Sequence, residues 1–140
     1  MDLLFLDANV LFSAAFRPDA GIVKLWKLSG VKLVTSAYAL EEAWINLEPG
    51  DQRNRLERLA KSLQILGGYS EQPLPPGIKL PEKGRPILQA AISAQATHLL
   101  TGDLTHFGRY YGQTFSGVLI LSPGDYLRER LKESSTRESV

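Results

Sequence analysis

The sequence predicts an α/β domain built on a mainly parallel sheet, and two observations carry that expectation. Short apolar runs recur at Leu3–Leu6, Val31–Thr35, His98–Thr101 and Val118–Leu121. Each is near-continuously apolar rather than alternating, as strands buried on both faces are. Between the runs lie segments with helical spacing, so strands and helices alternate along the chain. A weaker run, Gln64–Leu66, suits an edge strand and makes a sheet of four to five strands.

The helical segments follow in order. Ile22, Val23, Leu25, Trp26 and Leu28 recur near helical spacing and stop at Gly30. Ala37–Leu47 follows Ser36 as cap, carries Glu41 and Glu42 in its early turns and ends before Pro49. Arg55–Leu63 sets Leu56, Leu59 and Leu63 on one face, and Pro86–Ala96 is Ala-rich with proline at a tolerated first position. Tyr126–Lys132 is a last short helix. Residues 67–82 hold four of the eight prolines and read as an extended connection inside one domain, because splitting the chain there leaves halves too small for a good core. The expected domain spans residues 1–133, and the polar, Ser-rich residues 134–140 are expected to be a disordered tail.

Composition narrows the chemistry. The 140 residues carry 16 Lys+Arg against 15 Asp+Glu, a formal charge of +1 that neither favours nor excludes a nucleic-acid partner. With no Cys, disulfides, thiolate zinc sites, Fe–S clusters and cysteine nucleophiles are excluded. Only His98 and His106 are present, so a bound metal must take mostly carboxylate oxygen, which points to Mg²⁺ or Mn²⁺. The N-terminus lacks a basic region and a long apolar run, and no other stretch approaches the ~20 residues of a membrane span. A soluble, cytoplasmic protein is expected, with no membrane partner.

Ligands of open parallel sheets bind beyond the carboxyl ends of strands. That rule selects Asp7 after the first strand, Asp103 after His98–Thr101, and Glu42 six residues past Ser36 at the end of the second strand. Singly, each has an ordinary reading: an Asp after a strand caps a helix, and a helical Glu is solvated. Together they are expensive, since two carboxylates ~4–5 Å apart repel by roughly 3–4 kcal/mol at an effective dielectric of 20. A divalent cation or a proton relieves that repulsion. No Walker or dinucleotide glycine pattern competes for the site.

Leu6-Asp7-Ala8-Asn9-Val10, Thr35-Ser36 with Glu42 and Asn46-Leu47 downstream, Pro86–Ala91, and above all Ala96–Phe107 with its Thr101-Gly102-Asp103 step resemble a PIN domain over residues 3 to 122. The resemblance implies a three-layer α/β/α sandwich and an acidic, Mg²⁺- or Mn²⁺-dependent ribonuclease site acting on RNA. Many small prokaryotic members are toxins of toxin–antitoxin pairs, so an antitoxin partner that covers the site, and a homodimer, are further implications. Position by position, Asp7, Glu42 and Asp103 match the catalytic and metal-binding acids; Glu42 keeps the six-residue step that Glu41 does not. Asn9 and Ser36 match polar positions that steady the first acid and its loop, and Thr101 matches the strand-end hydroxyl.

The chain also departs from that pattern. Family members usually carry an acid just before the Pro-Ile-Leu-type helix, where this sequence reads Lys83-Gly84-Arg85-Pro86; Glu82 is two residues early. The alternative to an active nuclease is therefore a degenerate PIN domain that binds RNA or a protein without cutting. RNA needs basic and aromatic groups around the acids; Arg17, Lys83, Arg85, His106 and Arg109 are the candidate contacts, with Tyr110 and Tyr111 beside them. A haloacid-dehalogenase-like phosphatase, with Asp7 as nucleophile, is a third reading, but it requires a carboxylate where Asn9 stands.

Overall fold

Leu4, Phe5 and Leu6 are consecutive and each fully buried. Successive strand residues face opposite sides of a sheet, so this strand must be covered above and below. The computed structural model, which describes residues 1–68 and 73–138, has that arrangement: an α/β fold with helices on both faces of one sheet. The strands are β1 (Asp2–Leu6), β2 (Val31–Ser36), β3 (Gln64–Leu66), β4 (His98–Leu100), β5 (Thr114–Phe115) and β6 (Val118–Leu121). The helices are α1 (Ala8–Phe16), α2 (Ala37–Asn46), α3 (Asp51–Ala60), α4 (Arg85–Ser93), α5 (Leu104–Phe107) and α6 (Pro123–Glu138).

The sheet order is β3-β2-β1-β4-β6-β5, with every pairing parallel except β5 against β6. From β1 the chain first winds outward through β2 to β3, then returns to lay β4 on the other side of β1. The order therefore reverses between β1 and β4, and the crevice beyond their carboxyl ends is where open sheets hold ligands. Asp7 N–H donates to the Leu100 carbonyl at 3.1 Å, so the pairing continues one step past β1 and fixes Asp7 against β4.

Several elements differ from expectation. The sheet has six strands rather than four to five, because Thr114–Phe115 folds back on Val118 through Ser116 and Gly117, both at positive φ, as a two-residue hairpin turn requires. Helix α1, which the apolar runs did not announce, is capped by the Asp7 side chain and buries Ala8, Val10, Leu11, Ala14 and Ala15. Gly21–Lys27 is a 3₁₀ helix, not an α-helix; its Ala20 cap offers no side-chain acceptor, and β-branched Ile22 and Val23 favour an α-helix weakly. The last helix runs from Pro123 to Glu138 rather than from Tyr126 to Lys132, since no Gly or Pro follows Gly124 to stop it; residues 139 and 140 lie outside the described residues.

In the Pro-rich connection, residues 69–72 also lie outside them; beyond, Ile78 and Leu80 are buried and the Tyr110 hydroxyl both accepts from Lys79 N–H and donates to its carbonyl. Trp26 Nε1–H donates to the Leu59 carbonyl at 3.0 Å, tying the 3₁₀ segment to α3. Among the described residues no helix is long and apolar enough to cross a membrane. Leu99, fully buried on the central strand β4, is a sensitive probe of this core. Leu99→Ala should cost about 2–5 kcal/mol, read as a lower urea midpoint at unchanged m-value; a loss under about 1 kcal/mol would mean that β4 is not packed as described.

Candidate active site

The site starts from where β1 stops. Asp7 takes an extended conformation at the cap of α1, which turns its carboxylate back onto the helix start. Oδ1 accepts from Ala8 N–H at 2.7 Å; Oδ2 accepts from the Thr101 hydroxyl at 2.7 Å and from Asn9 Nδ2 at 3.1 Å. Asn9 in turn accepts from Gly102 N–H at 2.7 Å through Oδ1. The approach is close: a Cβ at 102 would lie 3.2 Å from that same oxygen, a tight contact that glycine avoids. Thr101 Oγ1, while donating to Asp7, accepts from Asp103 N–H at 3.1 Å. One hydroxyl thus orients both acids.

Asp103 caps the short helix α5. Its Oδ1 accepts from His106 N–H at 3.1 Å, and its Oδ2 lies 2.7 Å from His106 Nδ1. Ser36 caps α2 by accepting from Ala39 N–H at 3.1 Å. That is the cap the sequence offered; among the described residues no hydrogen bond joins Ser36 to Asp7, whose steadying the resemblance also implied, and the neighbouring Thr35 hydroxyl donates to the Leu6 carbonyl at 2.8 Å. The consequence for the site is indirect. Starting α2 at Ala37 turns Glu42 toward the cavity and leaves Glu41 exposed.

These elements enclose an open cavity of about 460 Å³ whose wall includes Asp7, Glu42 and Asp103 together. Asn9, Lys83, Gly84 and His106 also face it, with Phe12, Asn46, Ile87 and Phe107 completing the wall. Of the basic candidates, Lys83 and His106 are therefore at the acids. Arg85 is not: its Nε–H donates to the Leu80 carbonyl at 3.2 Å, pinning its own loop. Arg109 lies over the Tyr110 ring, away from the cavity wall. Arg17 pairs with Asp19 at 3.5 Å and lines an adjoining depression. Tyr110 is buried, and Tyr111 spends its hydroxyl on the Thr101 carbonyl at 2.6 Å, so both serve the scaffold. Phe12 was missed, and Asn46, quoted in the motif that carried the resemblance, was given no place in the site. Phe12 sits on the unanticipated α1, whose signal was the Asp7 cap followed by Val10, Leu11, Ala14 and Ala15 at helical spacing; Asn46 is one turn beyond Glu42.

Burial raises the Asp7 pKa above its ordinary 3.8; the Thr101 and Ala8 hydrogen bonds oppose that rise, and the charges of Asp103 and Glu42 add to it. Asp7 therefore feels the charge of both other acids. Among the described residues no three His, Cys, Asp or Glu side chains stand close enough to hold an ion as a cage. Oxygen donors spread around an open cavity suit a hydrated hard cation, which keeps several waters and needs only one or two carboxylates.

Comparison with known proteins bears on the fold. No family model matches the chain, and no curated protein matches it. Among solved structures it is similar to VapBC2 from Rickettsia felis bound to a DNA fragment from their promoter, at 17% identity and a TM-score of 0.61, over 86% of this chain and 98% of that one. It also aligns with FitAB bound to an IR36 DNA fragment, at 20% identity and a TM-score of 0.49, over 86% of this chain and 94% of that one. The VapBC2 likeness shows the fold, which is PIN-like.

The raised pKa of Asp7 has a signed consequence. An acid whose pKa rises on folding binds its proton more tightly in the native state, so stability falls as pH climbs from 3.8 through the folded value and is level above it. Thermal melts across that window should show the wild type losing stability relative to Asp7→Asn, which does not titrate. Parallel curves for the two proteins would contradict the buried, charge-coupled carboxylate.

Proposed function

We propose that this chain is a metal-dependent endoribonuclease that hydrolyses RNA phosphodiester bonds, with Asp7, Glu42 and Asp103 as its catalytic acids. The observation that carries the reading is their convergence on one cavity at the β1/β4 reversal, with Asp7 held in a buried position that costs energy while it is charged. Mg²⁺ or Mn²⁺ would be the cofactor, with one or two of the carboxylates of Asp7, Glu42 and Asp103 holding it directly and the rest through its water shell. When bound, such an ion lowers the pKa of a water and neutralises charge developing on the phosphate. Around it the chain orients and shields. Ala8, Asn9 and Thr101 fix the Asp7 carboxylate with three donated hydrogen bonds. His106 fixes Asp103, and Lys83 brings a cation to the cavity wall, where a phosphate oxygen needs one.

The PIN resemblance adds a regulatory partner to this proposal: the chain is the toxin of a toxin–antitoxin pair, acting in the cytoplasm, with an antitoxin that covers the cavity and a homodimeric state. A second reading rests on Gly84. It stands in the cavity wall beside Lys83, where the family usually has an acid, so a domain that binds RNA or a protein partner without cleaving is the competitor.

Single-stranded RNA incubated with Mn²⁺ or Mg²⁺ separates the two. Wild type should cleave, EDTA should stop it, and Asp7→Asn should lose well over the roughly 10–100-fold that removing an outer partner of a metal site costs. Cleavage that persists in Asp7→Asn would refute the metal-dependent mechanism. Gly84 has an ordinary φ of −83°, and a Cβ there would meet Leu80 at an unstrained 3.5 Å. Gly84→Asp should therefore fold and raise Mn²⁺ affinity severalfold, read as a larger metal-induced rise in Tm. Metal-dependent cleavage found in Gly84→Asp and absent from wild type would establish the non-cleaving reading instead.

A further inference from the structure

The acidic cavity does not end at its own wall. Phe12 is shared with a second depression of about 270 Å³, and that depression shares Gly21 and Ile22 with a third, broader groove of about 700 Å³ between the 3₁₀ segment and α6. The three form one run across the surface. No Asp or Glu lines either of the outer two, whereas Arg17 lines the second, and Lys24, Lys27, Arg128 and Arg130 line the third. Arg128 pairs with Asp125, and Arg130 donates to the Ser29 carbonyl; Lys24 and Lys27 have no ion-pair partner among the described residues. At the junction Phe16, 51% exposed, lies against Phe12 with ring centroids 5.4 Å apart.

We infer that this run is a binding track for single-stranded RNA, which enters the acidic cavity from the Lys24/Lys27 groove across the Phe12–Phe16 pair. The inference rests on the ribonuclease reading and extends it to a second, basic subsite. Single-strand tracks combine cations for the phosphates with aromatic faces on which bases stack, and both occur here in spatial sequence. The half-buried Ile22, Leu28 and Leu127 floor the groove with apolar surface that suits sugar and base faces. An acidic peptide would suit the basic groove alone; a polyanion cut at the acidic end has reason to span both.

Fluorescence anisotropy with fluorescein-labelled oligouridylates of about 4 and about 16 nucleotides, bracketing ordinary single-strand site sizes, tests the track in EDTA, where the RNA stays intact. Wild type should bind the longer RNA more tightly. Lys24→Gln with Lys27→Gln should weaken that binding about tenfold and flatten the slope of log affinity against log salt by about 1.4, two phosphates at about 0.7 each. Phe16→Ala should weaken it without changing the slope. Arg58→Gln with Lys61→Gln, an equal charge change on exposed residues off the track, should alter neither.

Equal affinity for both lengths, or an unchanged affinity and slope in the Lys24/Lys27 double variant, would overturn the track and leave the groove to a protein segment. A parallel cleavage assay in Mn²⁺ keeps the two readings apart. Cleavage without the Lys24/Lys27 effect sinks the track alone; the effect without cleavage sinks the ribonuclease reading and leaves the track standing.

Discussion

A carboxylate taken out of water must be given donors in place of the water it loses, and Asp7 organises the centre of this molecule around that requirement. Its three donors come from the turn after β1 and from the end of β4. Thr101 donates to Asp7 while its own oxygen accepts from Asp103 N–H, and Asn9 donates to Asp7 while its Oδ1 accepts from Gly102 N–H. The result is a closed set of hydrogen bonds that locks two strand ends together. Two further acids face the cavity beyond it.

The electrostatics then divide the surface. Negative charge is concentrated where the strand order reverses, and positive charge begins at Lys83 on one side and at Arg17 on the other. A total of +1 conceals this separation. The same geometry explains why Arg85 and Arg109 do not contribute: one is committed to a loop carbonyl and the other to an aromatic ring. Charge in the sequence becomes charge at the site only where the backbone leaves the side chain free.

Much of this was legible in the sequence. The strands that form the sheet centre are continuous apolar runs, and Asp7, Glu42 and Asp103 were found by asking which acids follow strand ends. What escaped was short or encoded by few residues. Helix α1 begins on the very Asp that was read as a site residue, and its small Ala8, Ala14 and Ala15 give a weak apolar signal. Strand β5 has two residues, and its signal was the Ser116-Gly117 turn rather than its own composition. Ser36 was read both as the cap of α2 and, through the resemblance, as a residue steadying Asp7; the cap is the role its hydroxyl fills, because a cap follows from the local strand-to-helix step alone. Gly102 entered only as part of the Thr101-Gly102-Asp103 step, and nothing in the sequence announced that its N–H holds the Asn9 side chain.

The separation of Asp7 from Thr101, 94 positions along the chain, has a consequence for the order of events during synthesis. The first acid precedes its hydroxyl donor and the last acid, which are made only after β2, β3 and α4 have been synthesised. A nascent chain that already carries Asp7 therefore has an unpaired strand edge and no cavity. The pocket needs β4 beside β1, so its wall is incomplete until the chain as far as Asp103 has been made.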